Sequence, residues 1–309
     1  MKKTENALAD RSRQNKIAYI KNNWQLYVFF MLPAFALLII FKYLPMGGLL
    51  MGFEDYSSRL GLFGSEWIGL GNFTRFLSST EFPRLMMNTL KLSIYGLLWG
   101  FLPPIVLALL LSRVRHAGLQ KNIQLLVYAP NFISVIVLAG MIIVFLSPVG
   151  PINQALGTQS NLMTDPNAFR TIYIASGIWQ GAGWASIIYS AALSNVNTEL
   201  IDACRIDGAS LWQQIKNVDL PTIKPIMVIQ FILSAGQIMN IGFEKALAMQ
   251  NDLNRAASEI IPTYVYRLGL EIGDYGYSTA VGLFNSVINI VLLLLVNMIV
   301  KKLNDGEGL

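Results

Sequence analysis

Charged residues are scarce in this sequence, and cysteine and histidine are almost absent. Of its 309 residues, 13% are charged and 54% are hydrophobic, and the mean hydropathy is +0.49. A soluble domain normally carries about 25% charged residues. The composition therefore excludes a soluble globular protein and predicts an integral membrane protein.

These absences also restrict the chemistry that the chain can perform. A single cysteine, Cys204, excludes an intramolecular disulfide, and a single histidine, His116, excludes a histidine metal site or a Ser-His-Asp arrangement. No Gly-Lys dipeptide occurs, so the phosphate-binding loop G-x-x-x-x-G-K-S/T of nucleotide hydrolases is missing. We predict that this chain has no catalytic residues and binds no metal or cofactor itself.

Long apolar stretches are abundant. A helix needs about 20 residues to cross the hydrocarbon core of a membrane. Six stretches meet that length, at residues 25–44, 89–111, 123–146, 171–193, 226–247 and 279–300. We predict an all-α integral membrane protein with about six transmembrane helices.

Basic residues are unevenly divided between the segments that join these stretches. Segments 1–24, 112–121, 194–224 and 301–309 carry 14 Lys and Arg in 74 residues, against 7 in 101 residues on the other side. Because basic residues collect in cytoplasmic loops, we predict that both termini are cytoplasmic. The predicted organisation is a cytoplasmic segment 1–24, a transmembrane domain 25–300 with an external amphipathic segment at 46–88, and a cytoplasmic tail 301–309.

Residues 194–224, here named the Gly208 segment, interrupt the apolar pattern with polar residues at helical spacing. Two apolar faces recur at spacings of three and four: Leu200, Ala203 and Ile206, then Leu211, Trp212, Ile215 and Val218. Gly208 lies between them and can adopt the positive φ of a sharp turn. We expect Pro221 and Pro225 to end the second helix before the fifth span.

The apolar faces of the Gly208 segment predict a docking partner, because such faces are unfavourable in water. The lipid surface is the alternative, but interfacial helices are usually rich in Lys and Arg. Here acidic residues slightly outnumber basic ones: Glu199, Asp202, Asp207 and Asp219 against Arg205, Lys216 and Lys224. A protein partner is therefore favoured.

The stretch "DACRIDGASLWQQIKNVDLP" resembles the EAA loop of importer permeases of the ATP-binding-cassette (ABC) type. In that family a Glu-Ala-Ala triplet is followed at fixed spacing by Asp-Gly-Ala and then by Leu-Pro. The matching positions here are Asp202, Ala203, Cys204, Asp207, Gly208, Ala209, Leu220 and Pro221. The triplet differs at two positions, but the spacing is kept. The resemblance implies coupling helices that sit in a cleft of a cytoplasmic ATPase.

The resemblance covers most of the chain, from the first span to the C-terminus. "YLPMGGLLMGFEDY" and "SEWIGLGNFTRFL" are similar to the external region of sugar permeases of the oligosaccharide and polysaccharide branch, and "GFEKAL" with "IIPTYVYRLGL" is similar to their C-terminal signature. This implies a type I ABC importer transmembrane domain and a carbohydrate substrate, an oligosaccharide or polysaccharide fragment. Disaccharide and glycerol phosphate permeases share the general pattern.

The same resemblance implies partners and a location. The partners are a second homologous permease subunit, two ATPase subunits that bind ATP and Mg, and an extracytoplasmic solute-binding protein. The location is the bacterial cytoplasmic membrane, which the chain crosses several times. No nucleic acid partner is implied.

Polar side chains within the spans are candidates for a translocation path, because uncompensated polar groups avoid lipid. In the fifth span they recur at intervals of three and four: Gln230, Ser234, Gln237, Asn240 and Glu244. The fourth and sixth spans add Trp179, Gln180, Trp184, Tyr189, Asn285 and Asn289. Aromatic rings with amide and hydroxyl groups suit carbohydrate. The alternative is that these polar groups only hydrogen-bond neighbouring helices.

Two other functions remain open at this stage, an ion-coupled secondary transporter or channel and a membrane scaffold. Secondary transporters commonly carry intramembrane carboxylates and internally repeated, interrupted helices, whereas acidic residues are scarce in these spans. A scaffold would not need the polar residues of the fifth span. We therefore favour the pore subunit of an ATP-driven importer.

Overall fold

The computed structural model of the protein describes residues 22–114, 116–236, 238 and 242–303. The helices are α1 (Trp24–Phe53), α2 (Gly71–Leu77), α3 (Glu81–Ser112), α4 (Ala117–Phe132), α5 (Val135–Phe145), α6 (Pro151–Leu156), α7 (Pro166–Leu193), α8 (Thr198–Ile206), α9 (Leu211–Ala235), α10 (Phe243–Met249), α11 (Arg255–Ser258), α12 (Ile261–Tyr266) and α13 (Tyr275–Leu303). Strands β1 (Glu54–Asp55) and β2 (Glu66–Trp67) pair antiparallel. The predicted terminal segments 1–24 and 301–309 lie largely outside the described residues.

The all-α membrane fold is confirmed, although fewer helices than six are plain candidates for crossing a membrane. Within the described part of the chain, α1, α3, α9 and α13 are long and apolar enough, and α4 with α5 form a bent pair. Helix α7 has 28 residues and is long enough. Its sequence is less apolar because it includes Trp179, Gln180 and several Gly and Ser residues.

The third predicted span, residues 123–146, is not a single straight helix. Helices α4 and α5 meet at an angle of 95°. Ile133 is extended, and the Ser134 side chain accepts a hydrogen bond from the Val137 amide, which starts a new helix. Gln180 of α7 donates to the Ile133 carbonyl at 2.8 Å and satisfies a group that the bend leaves without a helical partner.

The expected helix end at Pro221 and Pro225 is also wrong. Helix α9 runs through both prolines, from Leu211 to Ala235. Residues Ile215–Asp219 form a π-helical turn, and the Leu220 amide donates to the Ile215 carbonyl. Since Pro221 has no N–H group, a widened turn placed just before it lets the helix continue.

The fifth predicted span, 226–247, is broken. Helix α9 ends at Ala235, and α10 begins only at Phe243. The predicted polar face therefore does not follow one continuous helix. Gln237 and Asn240 lie outside the described residues, and Glu244 is exposed on α10. Glycines 236 and 242, which flank the break, favour a departure from helical geometry.

Helix α3 is the central helix of the bundle, since it contributes buried residues to three hydrophobic clusters. Leu85 packs with α2, α12 and α13, Leu92 with α5, α7 and α10, and Ile105 with α7 and α9. Helix α1 behaves differently, because no residue of its most apolar stretch is buried. Only its last turns approach the bundle, where Gly52 lies against Ala280 of α13.

Candidate functional site

The Gly208 turn has the geometry that the sequence predicts. Gly208 has φ of 72°, in the left-handed region. The Ala209 amide donates to the Cys204 carbonyl at 2.8 Å, and the Gly208 amide donates to the Arg205 carbonyl at 3.1 Å. This pair of bonds is the Schellman motif that closes a helix C-terminus. The turn after α8 is therefore defined by local hydrogen bonds.

The helix after the turn is capped locally as well. The Ser210 side chain accepts a hydrogen bond from the Gln213 amide at 3.4 Å, and Gln213 Oε1 accepts one from the Ser210 amide at 2.7 Å. This reciprocal pair is a capping box. Since both sides of the turn hold their own geometry, the Gly208 segment is preorganised without a partner.

Large apolar side chains of the Gly208 segment remain exposed. Ile206 is 86% exposed, and Leu200, Leu211 and Trp212 are each more than half exposed. Val218 and Ile223, further along the segment, are buried within the bundle. Leu200 and Ile206 of the first predicted apolar face are thus exposed. The second predicted face is exposed at Leu211 and Trp212 and buried at Val218. Bare apolar side chains on a rigid turn form a surface that another protein can cover.

The residues matched to the EAA loop are accessible. Asp202, Ala203, Asp207, Gly208 and Pro221 are exposed, and Cys204, Ala209 and Leu220 are half-buried. Asp202 forms an ion pair with Arg205 at 2.9 Å. Both side chains of this pair are more than half exposed. A contact of this kind contributes little to stability, so Asp202 stays available to a partner.

Some of the predicted path residues meet in a groove of about 640 Å³ between α3, α7 and α9. Trp184, Tyr189, Gln230 and Ser234 line it, together with Gly100 and Phe101 of α3. Trp184 also packs edge-to-face on Phe132, with ring centroids 5.8 Å apart. The groove combines aromatic surface with an amide and a hydroxyl group, a combination that suits carbohydrate.

The other predicted path residues lie elsewhere. Gln180 and Asn289 hydrogen-bond the carbonyls of Ile133 and Gly236, at 2.8 Å each, and so support the two irregular points of the helices. Asn285 lines a separate cavity of about 450 Å³ near α12, and Trp179 is more than half exposed. For Gln180 and Asn289 these contacts agree with the alternative interpretation, in which polar groups of the spans hydrogen-bond neighbouring helices.

Polar contacts at the two ends of α3 are absent from the sequence-based predictions. At one end Arg113 pairs with Asp219. At the other end Arg84 and Arg267 both contact Glu259, at 2.6 and 2.8 Å. Residues 251–267 are here named the Glu259 segment. No sequence signal pairs Arg113 with Asp219, because more than 100 residues separate them.

Metal binding has no support in the described ranges of the chain, where no three His, Cys, Asp or Glu residues are placed to hold an ion. Residues 100–305 match the family described as binding-protein-dependent transport system inner membrane component, and the chain belongs to this family. It is therefore a multi-pass inner-membrane component of a transport system.

Two curated relatives from Bacillus subtilis (strain 168) match almost the whole chain. Protein LplB is 40% identical over 298 residues, which cover 95% of this chain and 93% of LplB. The polygalacturonan/rhamnogalacturonan transport system permease protein YteP is 38% identical over 309 residues, which cover 98% of this chain and 96% of YteP. These matches confirm the resemblance to importer permeases of the ABC type.

Solved structures agree in fold. A chain of a bacterial ABC transporter involved in the import of the acidic polysaccharide alginate superposes with a TM-score of 0.86 at 37% identity. The match covers 94% of this chain and 99% of that chain. A second structure, of the alginate transporter in complex with an alginate pentasaccharide-bound periplasmic protein, gives a TM-score of 0.85. The predicted type I importer fold is thereby confirmed.

Proposed function

We propose that this chain is one half of the pore of an ATP-driven importer for oligosaccharides derived from a polysaccharide. The Gly208 segment carries the proposal, because its exposed apolar side chains stand on a turn fixed by its own hydrogen bonds. In this proposal the segment docks on an ATPase subunit. ATP and Mg bind to that ATPase, and its closure moves the segment.

Helix α1 supports pairing with a second permease. Its apolar residues are bare, and its contacts with the bundle begin only near Gly52. The groove lined by Trp184 and Gln230 is likewise open on one side of this chain. In this proposal, lipid covers part of the exposed surface formed by α1 and the groove. A homologous permease covers the rest, with its own groove facing the groove of this chain. The complex then contains two permeases, two ATPases and an extracytoplasmic solute-binding protein.

The proposed orientation places the Gly208 segment in the cytoplasm with both termini and places segment 46–88 outside. The excess of Lys and Arg on the Gly208 side supports it. Cysteine variants Lys216→Cys and Asp252→Cys in a Cys204→Ser background test this orientation, since both native side chains are exposed. An impermeant thiol reagent added to intact cells should label position 252 only, and labelling at position 216 would reverse the orientation.

The substrate class rests on the groove and on the relatives. Trp184 offers a flat ring and Gln230 an amide on adjoining helices. YteP is named for polygalacturonan and rhamnogalacturonan, and the solved neighbours for alginate. These names support a polysaccharide fragment as the substrate here, in preference to a disaccharide or glycerol phosphate.

Reconstitution of the complete importer in vesicles tests the proposal. Uptake of labelled oligogalacturonides, alginate oligosaccharides and maltose is measured with external solute-binding protein and internal ATP. We expect uptake of an oligosaccharide only when ATP and the binding protein are both present. Uptake that follows an ion gradient without ATP would instead establish the secondary transporter, and uptake of maltose alone would overturn the substrate class.

A further inference from the structure

Arg113 joins α3 to the Gly208 segment. It follows the last residue of α3, where a cation is favoured by the negative end of the helix dipole. Its guanidinium forms an ion pair with Asp219 and donates to Gln214 Oε1 at 3.4 Å. Among the residues that the structure describes, Arg113 is the only side chain from outside the Gly208 segment that forms a hydrogen bond or an ion pair with the segment.

The contact reaches the turn itself. Gln214 donates from Nε2 to the carbonyl of Ala209 at 3.0 Å, and Ala209 directly follows Gly208. Asp219 and Gln214 are both buried. A hydrogen bond to a charged group is shorter and stronger than one between neutral groups, and breaking a buried ion pair leaves the remaining charge uncompensated. Arg113 is therefore connected through Gln214 to the part of the segment that presents the bare apolar residues.

The opposite end of α3 is held just as firmly. Asn88 donates to the carbonyls of Ala256 and Glu259, and the Thr89 hydroxyl accepts from the Ile261 amide at 2.9 Å. Helix α3 has 32 residues, and at about 1.5 Å per residue it is longer than the hydrocarbon core is thick. One helix thus ties the Glu259 segment to the Gly208 segment.

We propose that the Arg113–Asp219 pair transmits movement of the Gly208 segment to α3. Docking of the ATPase near Arg113 then shifts α3 and the Glu259 segment at its other end. This inference rests on the proposed function, since it assumes that the segment docks on an ATPase. Arg113 is a positioning residue in this proposal and contacts neither sugar nor nucleotide. Energetic coupling between distant sites is carried by rigid elements and side-chain contacts that can adopt two discrete arrangements.

The test is Arg113→Gln in the assembled importer in vesicles. We expect the ATPase to stay bound and basal ATP hydrolysis to continue. Stimulation of hydrolysis by sugar-loaded binding protein, and uptake with it, should fall about fivefold or more, as for the loss of a typical coupling free energy. The double variant Arg113→Asp with Asp219→Arg restores the opposite charges and should recover part of the stimulation.

Lys121→Gln is the matched control, because it removes a cation from α4, the helix that follows α3, and lies outside the Gly208 segment. Lys121 is exposed and has no hydrogen bond or ion pair within the described chain, so we expect wild-type stimulation in this variant. Stimulation at the wild-type level in Arg113→Gln would overturn the inference. Loss of ATPase binding or of thermal stability in the same variant would also overturn it, because the pair would then be only structural.

Failure of the proposed function gives a different result. If the Gly208 segment does not dock on an ATPase, Gly208→Val leaves ATPase binding, stimulation and uptake unchanged. If the segment docks but Arg113 transmits nothing, Gly208→Val abolishes stimulation while Arg113→Gln retains it. Measuring both variants in one preparation therefore separates the two ideas.

Discussion

The Gly208 segment and the Glu259 segment are both made of short helices and turns, and each is attached to one end of α3. They differ in what they leave exposed. In the Glu259 segment Asn254, Ser258 and Glu259 are at most 1% exposed, and each has hydrogen-bond partners within the chain. In the Gly208 segment, by contrast, Leu200, Ile206, Leu211 and Trp212 are each more than half exposed.

Under the proposed function, this difference separates a structural segment from a docking segment. Polar groups that are buried and fully paired fix a conformation, and burial raises the pKa of the Tyr264 phenol above its ordinary value, as expected where water is excluded. In the Gly208 segment the Arg113–Asp219 pair is largely buried, whereas the Asp202–Arg205 pair is exposed to solvent. Under the proposed function, the ATPase covers the exposed apolar side chains of this segment. Substitutions in the Glu259 segment should therefore lower stability, whereas substitutions in the Gly208 segment should lower uptake.

Glu259→Ala should give the largest change in stability. It leaves the guanidinium groups of Arg84 and Arg267 without their shared carboxylate. We expect a loss of about 3 kcal/mol, near the low end for breaking a buried ion pair because both guanidinium groups reach solvent. Thermal unfolding of the purified protein in detergent measures it.

Asp252→Ala is the control for that substitution, because Asp252 pairs with Arg255 on the surface of the same segment. Exposed pairs contribute at most about 1 kcal/mol. An equal loss of stability in both variants would mean that the Glu259 segment is not organised around its buried carboxylate.

Gly208→Val should abolish uptake while leaving the bundle folded. A Cβ at Gly208 meets no atom within 4 Å, so the strain comes only from the positive φ. Such strain amounts to about 1 to 3 kcal/mol. It is relieved by distorting the turn that presents Ile206 and Trp212. Uptake and co-purification of the ATPase are the measurements.

Gly157→Val provides a matched control for the same strain. Gly157 has φ of 66° and equally open surroundings, but it follows α6, remote in sequence from the Gly208 segment. We expect this variant to transport normally. If Gly157→Val lost uptake as completely as Gly208→Val, general backbone strain would explain both results and the Gly208 segment would have no special role.

The sequence predicted local features well and long-range ones poorly. Gly208 acts within a few residues of itself, so its turn follows from a short motif. The break after Ala235 could not be seen, because polar residues at helical spacing continue through it. The Arg113–Asp219 contact depends on how α3 and α9 pack. Hydropathy averaged over a window of about 20 residues likewise conceals the bend at Ser134.

Ile206→Ser should weaken docking without weakening the fold. Ile206 is 86% exposed in the isolated chain. Full burial of an isoleucine side chain against a partner contributes about 1.5 to 3 kcal/mol, so the affinity for the ATPase should fall about tenfold or more. Titration of the purified ATPase against permease complexes in nanodiscs measures this affinity.

Leu253→Ser makes the corresponding change in the Glu259 segment, where Leu253 is also largely exposed. We expect no change in ATPase affinity and no change in the unfolding temperature. A loss of affinity in Leu253→Ser alone would exchange the roles assigned to the two segments.

Asp207→Ala should have the smallest effect. We expect it to leave thermal stability equal or slightly higher and to lower uptake. Asp207 is exposed at the C-terminal end of α8, and its side chain makes no hydrogen bond within the described chain. A carboxylate is unfavourable at the negative end of a helix dipole, by about 0.3 to 1 kcal/mol. Its removal should therefore leave the thermal stability equal or slightly higher. Uptake should nevertheless fall a few-fold, because the carboxylate contacts the ATPase under the proposed function.

Asp207→Asn keeps the shape and one acceptor oxygen of the side chain but removes its charge. Partial uptake in Asp207→Asn would assign the contact to hydrogen bonding, and full loss of uptake would assign it to charge. Unchanged uptake in both variants, measured beside Gly208→Val, would confine the docking contact to the apolar side chains.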